Sequence, residues 1–74
     1  LESRRGSRMA SQLSEREREV LLLVREGLAN KQIARRLGIA ERTVKAHLTS
    51  VYQRLGVTDR TQAALWASEH LTTD

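Results

Sequence analysis

Lys45, Ala46, Thr49 and Gln53, with Arg42 beside them, are the residues of this 74-residue chain whose types and spacing fit a chemical task. At about 100° per residue they gather on one side of the stretch 41–55, while Val44, Leu48, Val51 and Leu55 form the other. The task is reading base edges in the major groove of double-stranded DNA. Lysine donates to guanine O6 and N7, the alanine and threonine methyls suit the thymine methyl, and a glutamine amide pairs with adenine. Lys45, Ala46 and Thr49 are therefore the base-reading candidates. Gln53 joins them with less weight, because recognition helices read mainly through their N-terminal half. Arg42 and Arg54 are assigned to the DNA backbone, and Arg35 and Arg36 to plain surface charge. A merely solvated face would carry Glu–Lys pairs four residues apart, whereas the only acid here is Glu41.

Charge is distributed in the same sense. The formal net charge is +4, but the segment 30–55 holds two Lys and four Arg against Glu41, a surplus of five, and the flanking segments 13–29 and 56–74 are net acidic. A positive field confined to one segment suits a polyanion such as nucleic acid. The alternative is a solvated basic face, and charge by itself leaves both open.

The elements that must hold these residues are all helical. Ser14-Glu15-Arg16-Glu17 has the S-x-x-E form of a capping box and opens a first helix with Val20, Leu21, Leu23 and Val24 inward and Leu22 at the edge. Gly27 ends it. A second helix spans Asn30 to Leu37, with Ile33, Ala34 and Leu37 on one face, and Gly38 stops it. Gly38-Ile39-Ala40 leads into a third helix, 41–55. Asp59-Arg60-Thr61-Gln62 offers another capping box, with Asp59 as cap, for a fourth helix reaching about His70. The expected fold is all-α: a four-helix domain, 13–74, with a central helix-turn-helix formed by the second and third helices and a C-terminal dimerisation helix. An ordinary helical hairpin within a bundle shares the small residues and the glycine turn. Residues 1–12, rich in Ser, Arg and Gly without periodicity, read as a flexible linker or an added remnant.

Composition excludes other classes. With 39% apolar and 30% charged residues the chain is neither wholly disordered nor membrane-spanning, and a chain of this length holds one domain. There is no apolar run of about 18 residues and no secretory signal, so a cytoplasmic location is expected. The absence of cysteine removes disulfides and thiolate chemistry, and His47 and His70 cannot make a zinc centre alone. No nucleophile with an orienting base, no metal constellation and no phosphate loop is present, so the reading is not an enzyme, and no cofactor is expected. Glu15, Glu17 and Glu19 with Arg16 and Arg18 read as a solvated helix face.

Several blocks together resemble one family. Leu13-Ser14-Glu15-Arg16-Glu17-Arg18-Glu19-Val20-Leu21 is similar to an L-[ST]-x-R-E-x-E-V-L opening. Glu26-Gly27-Leu28-Ala29-Asn30-Lys31-Gln32-Ile33-Ala34, Leu37-Gly38-Ile39, Thr43-Val44-Lys45-Ala46-His47, Leu55-Gly56-Val57 and Asp59-Arg60-Thr61-Gln62-Ala63 follow in order. The chain from 13 to about 71 thus resembles the LuxR/FixJ/NarL-type, or GerE-like, helix-turn-helix domain of bacterial transcription regulators. The resemblance implies that the third helix enters the major groove and the fourth pairs two subunits. It implies base contacts at Lys45, Ala46 and Thr49, and positions at or near phosphates for Asn30, Lys31, Thr43, His47 and Arg60. It also implies an N-terminal receiver or ligand-sensing domain in the parent regulator. The chain departs from the family at Ala29 and Ala40, where Ser or Thr is usual, and at Ala46, often Val. Each lost cap costs roughly 0.5 to 2 kcal/mol, and Asn30 is expected to take over as cap of the second helix.

On the fourth helix Ala63, Ala64, Ala67 and Leu71 should pack on the first, leaving Gln62, Leu65, Trp66 and Glu69 pointing away. Leu65 and the sole Trp would form an exposed apolar patch, read as the interface of a two-fold dimer on inverted half-sites. The other reading folds Trp66 against the core edge. His70 is read as complementing the helix dipole. The expected partners are double-stranded DNA and a second copy of the chain, with RNA polymerase as a further one and no membrane. Two alternatives are carried: a sigma-factor region 4-like promoter-binding module, which the Arg60-Thr61-Gln62-Ala63 helix argues against, and a protein-binding four-helix adaptor, which leaves the basic segment without a purpose.

Overall fold

A computed structural model describes residues 13–71; the reading of 1–12 lies outside them. Four helices follow in order: α1 (Glu15–Arg25), α2 (Asn30–Leu37), α3 (Glu41–Leu55) and α4 (Arg60–His70). No strand occurs among the described residues, so the fold is the all-α, four-helix arrangement expected.

The ends of the helices show why they begin and stop there. At α1 the capping box forms: Ser14 Oγ accepts from the Glu17 N–H at 3.1 Å, and Glu17 Oε1 accepts from the Ser14 N–H at 2.9 Å. Gly38 closes α2 at φ +70° and Gly56 closes α3 at φ +71°, a left-handed conformation that costs other L-residues about 1 kcal/mol or more. Two expectations are corrected. Asn30 does not cap α2; it is the first helical residue, and Ala29 is the cap. With no polar side chain at Ala29, only half of the reciprocal pattern remains, the Ala29 N–H donating to Gln32 Oε1 at 2.8 Å. At α4, Asp59 Oδ1 accepts from the Gln62 N–H at 2.9 Å, but Gln62 Oε1 reaches past the cap to the Thr58 N–H, also at 2.9 Å, so the second box is not reciprocal.

Packing follows from the aliphatic stripes. α1 lies centrally, against α4, α3 and α2, and α2 also packs on α3. One part of the core joins Leu13, Leu21, Val51, Ala63, Ala67 and Leu71. The other joins Val20, Leu23 and Val24 of α1 to Ile33 and Ala34 of α2 and to Val44 and Leu48 of α3. Tyr52 touches both. Fully buried Leu21, Ile33 and Val44 each contribute roughly 1.5 to 3 kcal/mol through removal from water. The fully buried Ala63 and Ala67 let α4 approach α1 closely. The helix-turn-helix is thereby fixed from behind: α3 is held by α1 and α2 through Val44, Leu48 and Val51, and its opposite face is left to solvent.

Candidate nucleic-acid interface

Arg42, Lys45, Ala46, Thr49 and Gln53 are exposed, and Val44, Leu48 and Val51 are buried. The helix therefore turns its chemically mixed side outward, as the spacing requires. Thr49 Oγ1 donates to the Lys45 carbonyl at 3.0 Å, which orders the threonine side chain on the helix while its oxygen keeps acceptor capacity. Lys45 has no ion-pair partner among the described residues.

Beside this face lies an open cleft of about 280 Å³ lined by Asn30, Lys45, Leu48, Thr49, Tyr52 and Arg60. Four of the residues singled out in the sequence, from three different helices, thus converge. Tyr52 escaped the sequence reading, and Leu48 entered it only as part of the buried stripe. The signal was present: Tyr52 follows Thr49 by three and Lys45 by seven, which puts all three on one flank of α3.

Not every expected residue is presented to a ligand. Arg60 Nη1 donates to Asn30 Oδ1 at 2.7 Å, and its Nη2 donates to the Leu28 carbonyl oxygen. Asn30 and Arg60, both expected at or near phosphates, thus meet each other, with two of the five guanidinium N–H groups and the Asn30 oxygen engaged. Arg54 likewise turns inward to α1, its Nη1 lying 3.0 Å from Glu17 Oε1. Thr43 and His47 are half-buried on α3, and Lys31 is exposed on α2.

Glu17 is a further correction. Expected on a solvated face, it is buried, with 5% of its surface exposed. Burial by itself would raise its carboxyl above the usual range. The Ser14 N–H, the Ser50 hydroxyl, the Arg54 charge and the Ser14 hydroxyl outweigh this, and the net displacement is downward. Its neighbours in the run, Glu15, Arg16, Arg18 and Glu19, are exposed as expected.

On α4, Leu65 is 60% exposed, the outlier among the large apolar side chains of the described residues, with Gln62 and Glu69 exposed as well. Trp66 departs from expectation. It lies about 80° from the centre of the buried Ala63–Ala67 stripe, and its large ring reaches back onto the cluster containing Leu21 and Val51. Its outer face stacks on His70, with ring centroids 4.4 Å apart and planes within 17°. His70 Nδ1 is 3.0 Å from the Trp66 carbonyl oxygen, so this imidazole meets the end of the helix directly.

Among the described residues no helix is long and apolar enough to cross a membrane, and no group of three or more His, Asp or Glu could hold a metal ion.

With this geometry in view, comparison with known proteins is informative. The family described as bacterial regulatory proteins, luxR family, matches residues 11–67. The CsgBAC operon transcriptional regulatory protein of Escherichia coli K12 is 43% identical over 68 residues, 92% of this chain and 32% of that protein. The nitrate/nitrite response regulator protein NarL of the same strain is 44% identical over 62 residues, 84% of this chain and 29% of that protein. The transcriptional regulatory protein LiaR of Bacillus subtilis 168 is 49% identical over 55 residues, 74% of this chain and 26% of that protein. Among solved structures, the response regulator StyR superposes with a TM-score of 0.79 at 40% identity, over 88% of this chain and 33% of that one. The chain spans about a third of the length of the curated relatives it matches.

Proposed function

The chain belongs to the luxR family of bacterial regulatory proteins and is a LuxR-type helix-turn-helix domain; from that premise we propose that it reads double-stranded DNA sequence-specifically as the output domain of a response-regulator-type transcription regulator acting in the bacterial cytoplasm. The observation that carries this reading is the outward Lys45–Thr49 edge, with no ion-pair partner for Lys45 among the described residues, of a helix whose other side is sealed by Val44, Leu48 and Val51. A major groove about 12 Å wide admits such a helix. Lys45, Ala46 and Thr49 read bases, with Gln53 at the far end, while Lys31, Arg42, Thr43 and His47 meet the sugar–phosphate backbone. The domain extends over 13–74, and 1–12 connect it to a regulatory segment.

Salt dependence tests the reading. Each phosphate neutralised contributes about −0.9 to the slope of log K against log salt. Arg42→Ala is expected to weaken selected and random duplexes alike and to lower the slope by about one contact. A flat response in the unaltered chain would refute DNA binding and favour the protein-binding adaptor.

The exposed Leu65, flanked by Gln62 and Glu69, supports pairing of two copies through α4 on inverted half-sites about one DNA turn apart. The half-buried Trp66 borders this patch and contributes to it by its edge. RNA polymerase is a further partner of the DNA-bound dimer. Leu65→Glu is expected to abolish cooperative binding to a two-half-site duplex while leaving single half-site affinity within about twofold, since Leu65 lies on α4, outside the residues assigned to DNA; unchanged cooperativity would refute the α4 interface.

A further inference from the structure

Arg60 and Asn30 each open a helix, thirty residues apart, yet their side chains meet. The guanidinium reaches from the first residue of α4 to Asn30 Oδ1 at 2.7 Å and, through its other terminal nitrogen, to the Leu28 carbonyl oxygen. These acceptors stand on either side of Ala29, the cap residue that offers no side-chain hydrogen bond. The entry to α2 is therefore held by one local tie, the Gln32 amide oxygen on the Ala29 N–H, and one from outside the helix, Arg60.

α2 and α4 share little other contact; their main packing partners are α3 and α1 respectively. The Arg60 fork is thus the principal polar connection between them. It forms one wall of the cleft that carries Lys45 and Thr49 on α3. A planar guanidinium directs donors from two nitrogens along fixed, diverging lines, which a lysine ammonium on a flexible stem does not reproduce.

We infer that Arg60 is a positioning residue: through Asn30 and Leu28 it sets where the start of α2 stands against Lys45 and Thr49, and so governs discrimination between base pairs and not attraction to phosphate. This rests on the DNA-binding reading above. Donors held on neutral protein acceptors fix the start of α2 in place, and a misaligned α2 start shifts α3 against the base edges and costs affinity only where bases are read.

Arg60→Lys separates the two roles because it keeps the charge and loses the fork. The measurement is a salt titration of the 74-residue chain on two duplexes of equal length, one recovered by selection from a random pool and one with its sequence scrambled. Affinity for the selected duplex is expected to fall about tenfold, the scale of one misread base pair. Affinity for the scrambled duplex should stay within about twofold and the salt slope should be unchanged. Wild-type binding by Arg60→Lys, or an equal loss on both duplexes, would overturn the inference.

Asn30 variants keep the question decidable should Arg60→Lys not fold. Asn30→Asp retains an acceptor for Arg60 and places a negative charge where a phosphate would otherwise sit. It is expected to hold selected-duplex affinity within about threefold, while Asn30→Ala reproduces the selective loss. A uniform loss of about tenfold or more in Asn30→Asp on both duplexes marks Asn30 as a phosphate contact and overturns the proposal. A wild-type chain that fails to distinguish the duplexes refutes the DNA reading itself, an outcome visible before any variant is compared.

Discussion

Lys45→Ala is expected to weaken binding to a selected DNA site by roughly 1 to 3 kcal/mol, or about 5- to 150-fold, while leaving affinity for random duplex nearly unchanged. The size follows from what is lost. Lys45 is exposed, has no carboxylate partner among the described residues, and stands beside Thr49 at the mouth of the cleft. Truncating it removes donors to one base pair and opens no hole in the core, because Val44 and Leu48 hold the helix from the other side. The helical circular dichroism and melting point should therefore not move. Sites selected by the variant should have lost preference at one position of each half-site. Equal losses on selected and random duplexes would show that Lys45 acts as a phosphate contact and would remove the base-reading role.

Glu17→Ala is expected to cost about 2 to 3 kcal/mol of folding stability, a large share of the total in a domain this small. It removes the acceptor for the Ser14 N–H and for Arg54 together. It also dismantles one half of the box that starts α1. At roughly 4 to 8 °C per kcal/mol the melting point should fall by about 10 to 20 °C. The effect has a pH signature of known sign. The folded-state carboxyl lies below its ordinary value. Its stabilising contribution is thus complete above the unfolded value of about 4.3 and is lost as the pH falls through the lower folded one. Thermal melts of the wild type should accordingly show an acid-dependent loss that Glu17→Ala lacks. Parallel pH profiles for the two proteins would contradict this account.

The contrast between these two residues shows how much the sequence discloses. Lys45 was legible because its exposure depends on one helix and its own aliphatic stripe. The helix limits were legible for the same reason: Ser14 with Glu17, the left-handed Gly38 and Gly56, and the repeats of α3 act within a few residues of chain. Glu17 was misread because it sits inside an alternating acid–base run. Its spacing of three and four before Val20 and Leu21 already aligned it with the buried side, and that signal was overlooked. Arg54, Arg60 and Trp66 were a different matter. Their partners lie 37 residues away for Arg54 and 30 and 32 for Arg60. Trp66 covers a cluster assembled from α1, α3 and α4. No local pattern encodes such meetings. They arise only after the apolar stripes have brought the helices together, and a long polar side chain then takes the nearest acceptor.

The alanines between α1 and α4 carry a last consequence. Ala63 and Ala67 present a single methyl each and are wholly enclosed, packed among Leu13, Leu21, Val51 and Leu71, so the gap between the two helices is gauged by tightly filled space with little room to adjust. The outer side of α4 is consequently mounted on a stiff bracket, free to diverge in composition without altering its distance from α3. An added carbon on the inner side would shift that whole mounting.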